Sequence, residues 1–310
     1  MATFIKVWIS ILVLAGGVFW LTGCSDGTPG DKTTVDDSAG ASESEPTTPR
    51  FGGNQLVMPP DTINANPASN ANRNAYFGDL HVHTNYSFDA FAFGTVASPY
   101  DAYRFAKGKA IKHPAGFDVQ LNAPLDFYAV TDHAMFLGAV KAAADTTTDF
   151  SRYVHVQDLH NLNAPENQNF ESLPQRVTAF STFLPDTLNM VADGSIDPNL
   201  VDQIAKDAWT DTIRAAEAFN DPGDFTTFVA YEFTSSTDDR GNLHRNVIFQ
   251  GADRLPAMPF SRFHSQNPEG LWDWMDGLRK NGIEALAIPH NSNGSNGQMF
   301  KLVDWASNPV

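Results

Sequence analysis

Five of the nine histidines in this 310-residue chain fall beside short apolar runs of strand length. His81-Val82-His83 places two imidazoles two residues apart. On an extended strand both would face one side and could reach one cation, while Leu80 and Val82 face a core. Thr131-Asp132-His133 follows the run 125–130. Asp132 there suits capping of the next helix, orientation of ligand histidines, or proton management. Glu232 ends the run 228–231 as a solvated strand end or as a carboxylate bridging two cations. His244 is followed by Arg245, a residue type that forms surface ion pairs or gives bidentate hydrogen bonds to an anionic substrate. His290 closes Ala287-Ile288-Pro289 before a polar, glycine-rich loop. His113, His155, His160 and His264 stand in polar or loop contexts and read as ordinary surface residues.

The elements that must position these groups alternate along the chain. Strands are expected over 76–83, 125–131, 226–233, 244–250 and 283–289, with helices over 98–107, 197–219 and 268–280 between them. Ser98-Pro99 has the form of an N-cap followed by a first-turn proline. The segment 146–195 has no clear period and reads as an insertion or long loop. This alternation predicts an α/β fold with a largely parallel sheet. In such folds the C-terminal strand ends face one cleft, which would gather the five histidines, Asp132 and Glu232.

A net charge of −16, from 36 acidic and 20 basic residues, argues against nucleic-acid binding and suits divalent cations. The single cysteine excludes an intrachain disulfide framework and a four-cysteine zinc site. It stands in Leu21-Thr22-Gly23-Cys24, after Lys6 and an apolar run over 7–21 too short to span a bilayer. That arrangement resembles a bacterial lipoprotein signal peptide. It implies cleavage after residue 23, lipidation of Cys24, and a membrane-anchored protein of the cell envelope, on the periplasmic or outer-membrane face. Residues 24–74 are polar, acidic and proline-containing, and are expected to form a disordered tether without tertiary contacts. The globular region is expected over 75–310.

The stretch Phe77-Gly78-Asp79-Leu80-His81-Val82-His83-Thr84-Asn85-Tyr86-Ser87-Phe88-Asp89 resembles the first motif of the PHP (polymerase and histidinol phosphatase) superfamily. Val130-Thr131-Asp132-His133, Tyr231-Glu232, Leu243-His244-Arg245-Asn246-Val247 and Pro289-His290-Asn291 resemble its later motifs in order. The wording is closest to a PHP-like family, domain of unknown function 3604. The resemblance implies a distorted (β/α)7 barrel holding two or three divalent ions (Zn2+, Mn2+ or Fe). It assigns His81, His83 and Glu232 to a first metal, Glu232, His244 and His290 to a second, and Asp89 with His133 to a third. Many relatives have a histidine where Asp89 stands here. An Asp-x-His motif expected after His290 is missing, since Asp304 precedes Trp305-Ala306. The resemblance therefore predicts a barrel incomplete at its C-terminus, its first and third sites each one ligand short.

The activity implied is metal-dependent hydrolysis of a small-molecule substrate, with phosphate esters the expected class. Asp132 and Arg245 are the catalytic candidates. Two rival readings share the residues: an amidohydrolase-like metal enzyme, which normally needs a strand-end lysine, and a non-catalytic surface lipoprotein that binds metal or ligand.

Overall fold

The computed structural model describes residues 56–57, 74–236, 241–303 and 309. The signal-like segment with Cys24, most of the tether, and Asp304 lie outside the described residues.

A five-stranded mixed sheet, curled as a half-barrel, organises the fold. Its order is β2 (Gly78–Asp79), β5 (Phe127–Val130), β6 (Thr226–Phe233), β7 (Arg245–Phe249), β9 (Ala285–Pro289). Two ribbons stand apart: β1 (Leu56–Val57) with β8 (Arg254–Leu255), and β3 (Ile111–Lys112) with β4 (Asp118–Val119). Between the strands run α1 (Phe88–Ala92), α2 (Pro99–Ala106), α3 (Ala139–Ala144), α4 (Leu173–Ala192), α5 (Pro198–Phe219) and α6 (Pro268–Lys280). No helix among the described residues is long and apolar enough to cross a membrane.

Period-two alternation explains the two faces of the sheet. Tyr128, Val130, Val229, Tyr231, Phe233, Val247 and Phe249 pack with Trp209 of α5 and Leu271 of α6 in the main core. Ala129, Ala230 and Ile248 form a smaller cluster with Leu80 and Phe228. Glu232 follows Phe228 and Ala230 in the alternation, so a carboxylate is carried on that second face. α2 opens with a capping box in which Ser98 and Asp101 exchange side-chain-to-backbone hydrogen bonds, as the Ser98-Pro99 pair predicts.

Several expectations are corrected. The sheet is not parallel throughout: β2, β5 and β6 are parallel, but β6–β7 and β7–β9 are antiparallel. The sheet is open among the described residues, with β2 and β9 at its edges, which accords with the expected incomplete barrel and shows no closed (β/α)7 barrel. The first strand keeps ladder pairing only at Gly78 and Asp79. Gly78 is tightly required, because a Cβ there would stand 2.2 Å from the Phe127 carbonyl oxygen. The tether is not free of contacts, since Leu56 and Val57 pair with Leu255 and Arg254.

The segment 146–195 is no simple loop. Four 3-10 turns lead into the 20-residue helix α4, whose buried Arg176, Ala179, Phe183 and Thr187 lie on one helical face. This helix closes a second core with Phe136, Phe150 and Leu162. Pro185 inside it, which removes one backbone donor, breaks the sequence signal.

Candidate metal centre

Strand direction assembles the site. β5 and β6 run parallel, and an isolated bridge between His133 and Glu232 extends their pairing to the rim. The Glu232 N–H donates to the Asp132 carbonyl at 2.9 Å, and Ala134 N–H donates to the Glu232 carbonyl at 2.9 Å. Because β7 is antiparallel to β6, the residue before β7 stands at the same rim, and that residue is His244. β9 reverses again, so His290, just after it, returns there, its N–H donating to the His244 carbonyl at 3.1 Å. Asn291, in the left-handed region at φ 59°, turns the chain away directly behind it.

His81 and His83 lie beyond β2 in extended chain. Val82 anchors that segment: its carbonyl accepts from Thr131 N–H at 2.7 Å, and its N–H donates to Thr131 Oγ1 at 2.9 Å. Asn246 Nδ2 adds a hydrogen bond to the Leu80 carbonyl at 2.7 Å. With Val82 held inward, both flanking imidazoles face Glu232.

Glu232, 1% exposed, is the hub. Its Oε2 lies 3.2 Å from Nε2 of each of His81, His83 and His290. Its Oε1 lies 3.1 Å from His133 Nδ1 and 2.6 Å from His244 Nδ1. On the far side, His133 Nε2 is 3.3 Å from Asp89 Oδ2. The His81 and His83 Nε2 atoms are 3.1 Å apart. Three groups offer ligand atoms close enough for a shared ion: His81, His83 and Glu232; His83, Asp89 and His133; His133, Glu232 and His244.

The donor set fits a divalent cation on chemical grounds. Both Glu232 oxygens and both His290 ring nitrogens are buried without a directed hydrogen-bond partner. Lewis bases therefore converge on one another, an arrangement that repels itself unless protons or cations stand between them. Two donors on one tetrahedral cation, each about 2.0–2.1 Å from it, stand about 3.3 Å apart. The contacts of 3.1–3.3 Å described above match that spacing. Nitrogen and oxygen donors without a thiolate suit Zn2+, Mn2+ and Fe alike.

Electrostatics follow from the burial. Desolvation works to raise the Glu232 carboxyl, but His133, with approaches from His244 and His290, holds it far below the ordinary carboxylate range. Desolvation likewise opposes charge on His133, yet Asp89 and Glu232 push it up to about 10. Asp89 is held at about 2: burial raises it, and His133 and then His83 outweigh that. His244 is lowered, chiefly by burial.

The structure brings together His81, His83, Asp89, His133, Glu232, His244 and His290. It partitions them differently from the resemblance: His290 joins His81 and His83 at Oε2, and His244 joins His133 at Oε1. Asp132 lies behind them, fully buried. It accepts hydrogen bonds from Thr84 N–H (2.5 Å) and Thr84 Oγ1 (2.6 Å), and burial raises its carboxyl.

Arg245 is not brought to the cluster. It pairs with Phe233, and alternation sends its side chain to the helix-facing side, beside Met299 Sδ at 3.5 Å and 6.0 Å from the Trp272 ring. Burial lowers it to about 10. The other four histidines stay away from the site; His155 and His160 instead hold the α4 lobe through Thr187 Oγ1 and the Ser151 carbonyl.

Sequence reasoning missed Ser87, Thr84, Thr234 and Phe88. Ser87 Oγ is 2.7 Å from His83 Nδ1, Thr234 Oγ1 is 2.5 Å from His133 Nδ1, and the Phe88 ring stacks on His133 at 4.7 Å. Small hydroxyl residues carry no periodic signal, so only their place inside the histidine-rich stretch pointed to them.

Fold and site together define a mixed α/β protein whose half-barrel rim carries a His/Asp/Glu cluster able to hold metal. Over residues 70–310 the chain matches the family described as Protein of unknown function (DUF3604), and it belongs to that family. No curated protein and no solved structure matches it.

Proposed function

We propose that this protein is a metal-dependent hydrolase of phosphate esters, built on an open relative of the PHP-like (β/α)7 barrel. The observation that supports this reading most is the buried Glu232 carboxylate, ringed by five imidazoles with no directed hydrogen bond to either oxygen. In this reading His81, His83, His290 and Oε2 hold one cation, and His133, His244 and Oε1 hold another. Asp89, His83 and His133 offer a third position. Bound divalent cations supply Lewis acidity, which makes water a competent nucleophile near neutral pH and balances charge on a phosphoryl oxygen. The chain's own part is to hold the donors and admit a small substrate. The side chains of His81 (40% exposed) and Asp89 (37%) are the most open of the set, so substrate enters from their side. Phe88 covers His133 and excludes water behind it. Asp132 is assigned to orientation and Arg245 to packing.

The test is elemental analysis of purified protein, then hydrolysis of p-nitrophenyl phosphate and bis(p-nitrophenyl) phosphate after chelation and after return of Zn2+, Mn2+ or Fe2+. Bound metal and restored phosphoester cleavage are expected. Metal without any hydrolysis would replace the reading with that of a binding protein, and cleavage of p-nitroanilides alone with that of an amidohydrolase-like enzyme. We further propose that lipid on Cys24 anchors the protein in the cell envelope. Mass spectrometry of the mature N-terminal peptide, and loss of the membrane fraction in Cys24→Ala, check that.

A further inference from the structure

Packing leaves the charge of Arg245 unanswered. The side chain is 4% exposed and lies on the helix-facing side of β7, where Val247 joins the main core. A buried guanidinium presents a fork of N–H donors that need oxygen acceptors. Arg176, buried to the same extent, finds five. No oxygen acceptor among the described residues meets Arg245. Its Nε is buried without a hydrogen-bond partner, and Nη2 meets only the Met299 thioether, a weak acceptor, at 3.5 Å. Such an uncompensated charge is costly in a folded interior, so the chain holds it there for a partner.

The surroundings suit one. Trp272 on α6 lies 6.0 Å from the guanidinium and is 42% exposed, so the place borders solvent. Met299 reaches it on a tight turn, in which Gln298 N–H donates to the Ser295 carbonyl at 2.9 Å and Asn296 and Gly297 both have positive φ. Gln298 Oε1, beside Met299 in the chain, is likewise buried without a partner. The like charge that stands against an anion here is Glu269, one helical turn before Trp272 on α6. A planar guanidinium matches the two oxygens of a carboxylate or phosphate group better than any other charge partner.

We propose that Arg245 and Trp272 form an oxyanion-binding site, with the Met299 side chain as its removable cover. The site lies on the opposite face of the sheet from the metal cluster: Asn246 follows the alternation to the Glu232 side, and Arg245 to the other. It takes its anion without any cation at the rim.

The test is calorimetric titration of the full chain with inorganic phosphate and with acetate, as purified and after chelation. One saturable site that survives chelation is expected, and the tighter of the two probes names the anion class. Arg245→Met should weaken it by at least about 10-fold, the loss of charge-assisted hydrogen bonds. Arg245→Lys keeps the charge without the fork, should weaken binding as well, and is the variant to read if Arg245→Met fails to fold. Met299→Ala, which clears the guanidinium, and Glu269→Gln, which removes the opposing charge, should both bind more tightly than wild type. Absence of saturable binding after chelation, in wild type and in Met299→Ala alike, would overturn the site and leave the guanidinium to water. So would wild-type affinity in Arg245→Met or Arg245→Lys. Chelation removes anion binding that depends on rim cations, so a protein that binds no metal would sink the proposed function while this titration still decides the site.

Discussion

Among the charged side chains buried in the described residues, the chain treats Arg176 and Glu232 in opposite ways. Arg176, on α4, is 4% exposed and has no carboxylate beside it among the described residues. Its guanidinium is nevertheless fully occupied. It donates to Ser172 Oγ (3.1 Å), the Ala92 carbonyl (3.0 Å), Asn163 Oδ1 (2.8 Å), the Leu162 carbonyl (2.8 Å) and the Asn167 carbonyl (2.9 Å). Glu232 at the sheet rim is 1% exposed, and neither of its oxygens receives a directed hydrogen bond. Its neighbours are ring nitrogens of His81, His83, His133, His244 and His290. A buried charge that the chain's own dipoles satisfy is an architectural centre. A buried charge surrounded by Lewis bases is a place built to receive something.

Three measurements break or sharpen that contrast. The largest effect is expected from Glu232→Gln, which halves the charge balance offered to cations and removes the shared carboxylate. Metal stoichiometry after dialysis should fall further than for any single histidine substitution, by more than the roughly 100-fold upper cost of an outer-partner change. Retention of wild-type metal content would mean that Glu232 is no hub. Next comes Arg176→Met, which strands five buried acceptors at once. It should cost about 3–5 kcal/mol in denaturant-induced unfolding, with metal content unchanged. A loss of metal alongside would show that the lobe and the rim are not separate in function. The smallest effect is expected from Asn163→Ala, which removes one of the guanidinium's acceptors together with a hydrogen bond to the Phe91 carbonyl. A cost of about 1–3 kcal/mol in the same unfolding measurement fits a satisfied network. No change would mean that Arg176 is held by its backbone partners alone.

Parts of this molecule were readable one segment at a time. The runs that became β5, β6 and β7 are rich in β-branched and aromatic residues and that of β9 is aliphatic, and each boundary lies within two residues of its sequence-based expectation. The Ser98-Pro99 cap and the amphipathic spacing of α5 and α6 were equally plain. Helix α4 was not, because Pro185 and a polar outer face blur the period that would otherwise reveal it. The first strand was overdrawn. The chain stays extended through His83, but beyond Asp79 it is held by Thr131 at Val82 and by Asn246 at Leu80 rather than by a ladder.

What the sequence by itself determined is the inventory: seven potential ligands, six of them within a few residues of a strand, and a family membership that spans 70–310. Tertiary structure alone decided the direction of β7 and β9, and with it the return of His244 and His290 to the rim of His133 and Glu232. It also decided that Arg245 faces the helices, that the five histidines divide three to two between the Glu232 oxygens, and that Ser87 turns inward. The physical reason is that hydrophobic periodicity records which face of a segment is buried, but not which way the segment runs or what stands across from it. Those are set by long-range pairing, where every backbone donor and acceptor must find its partner.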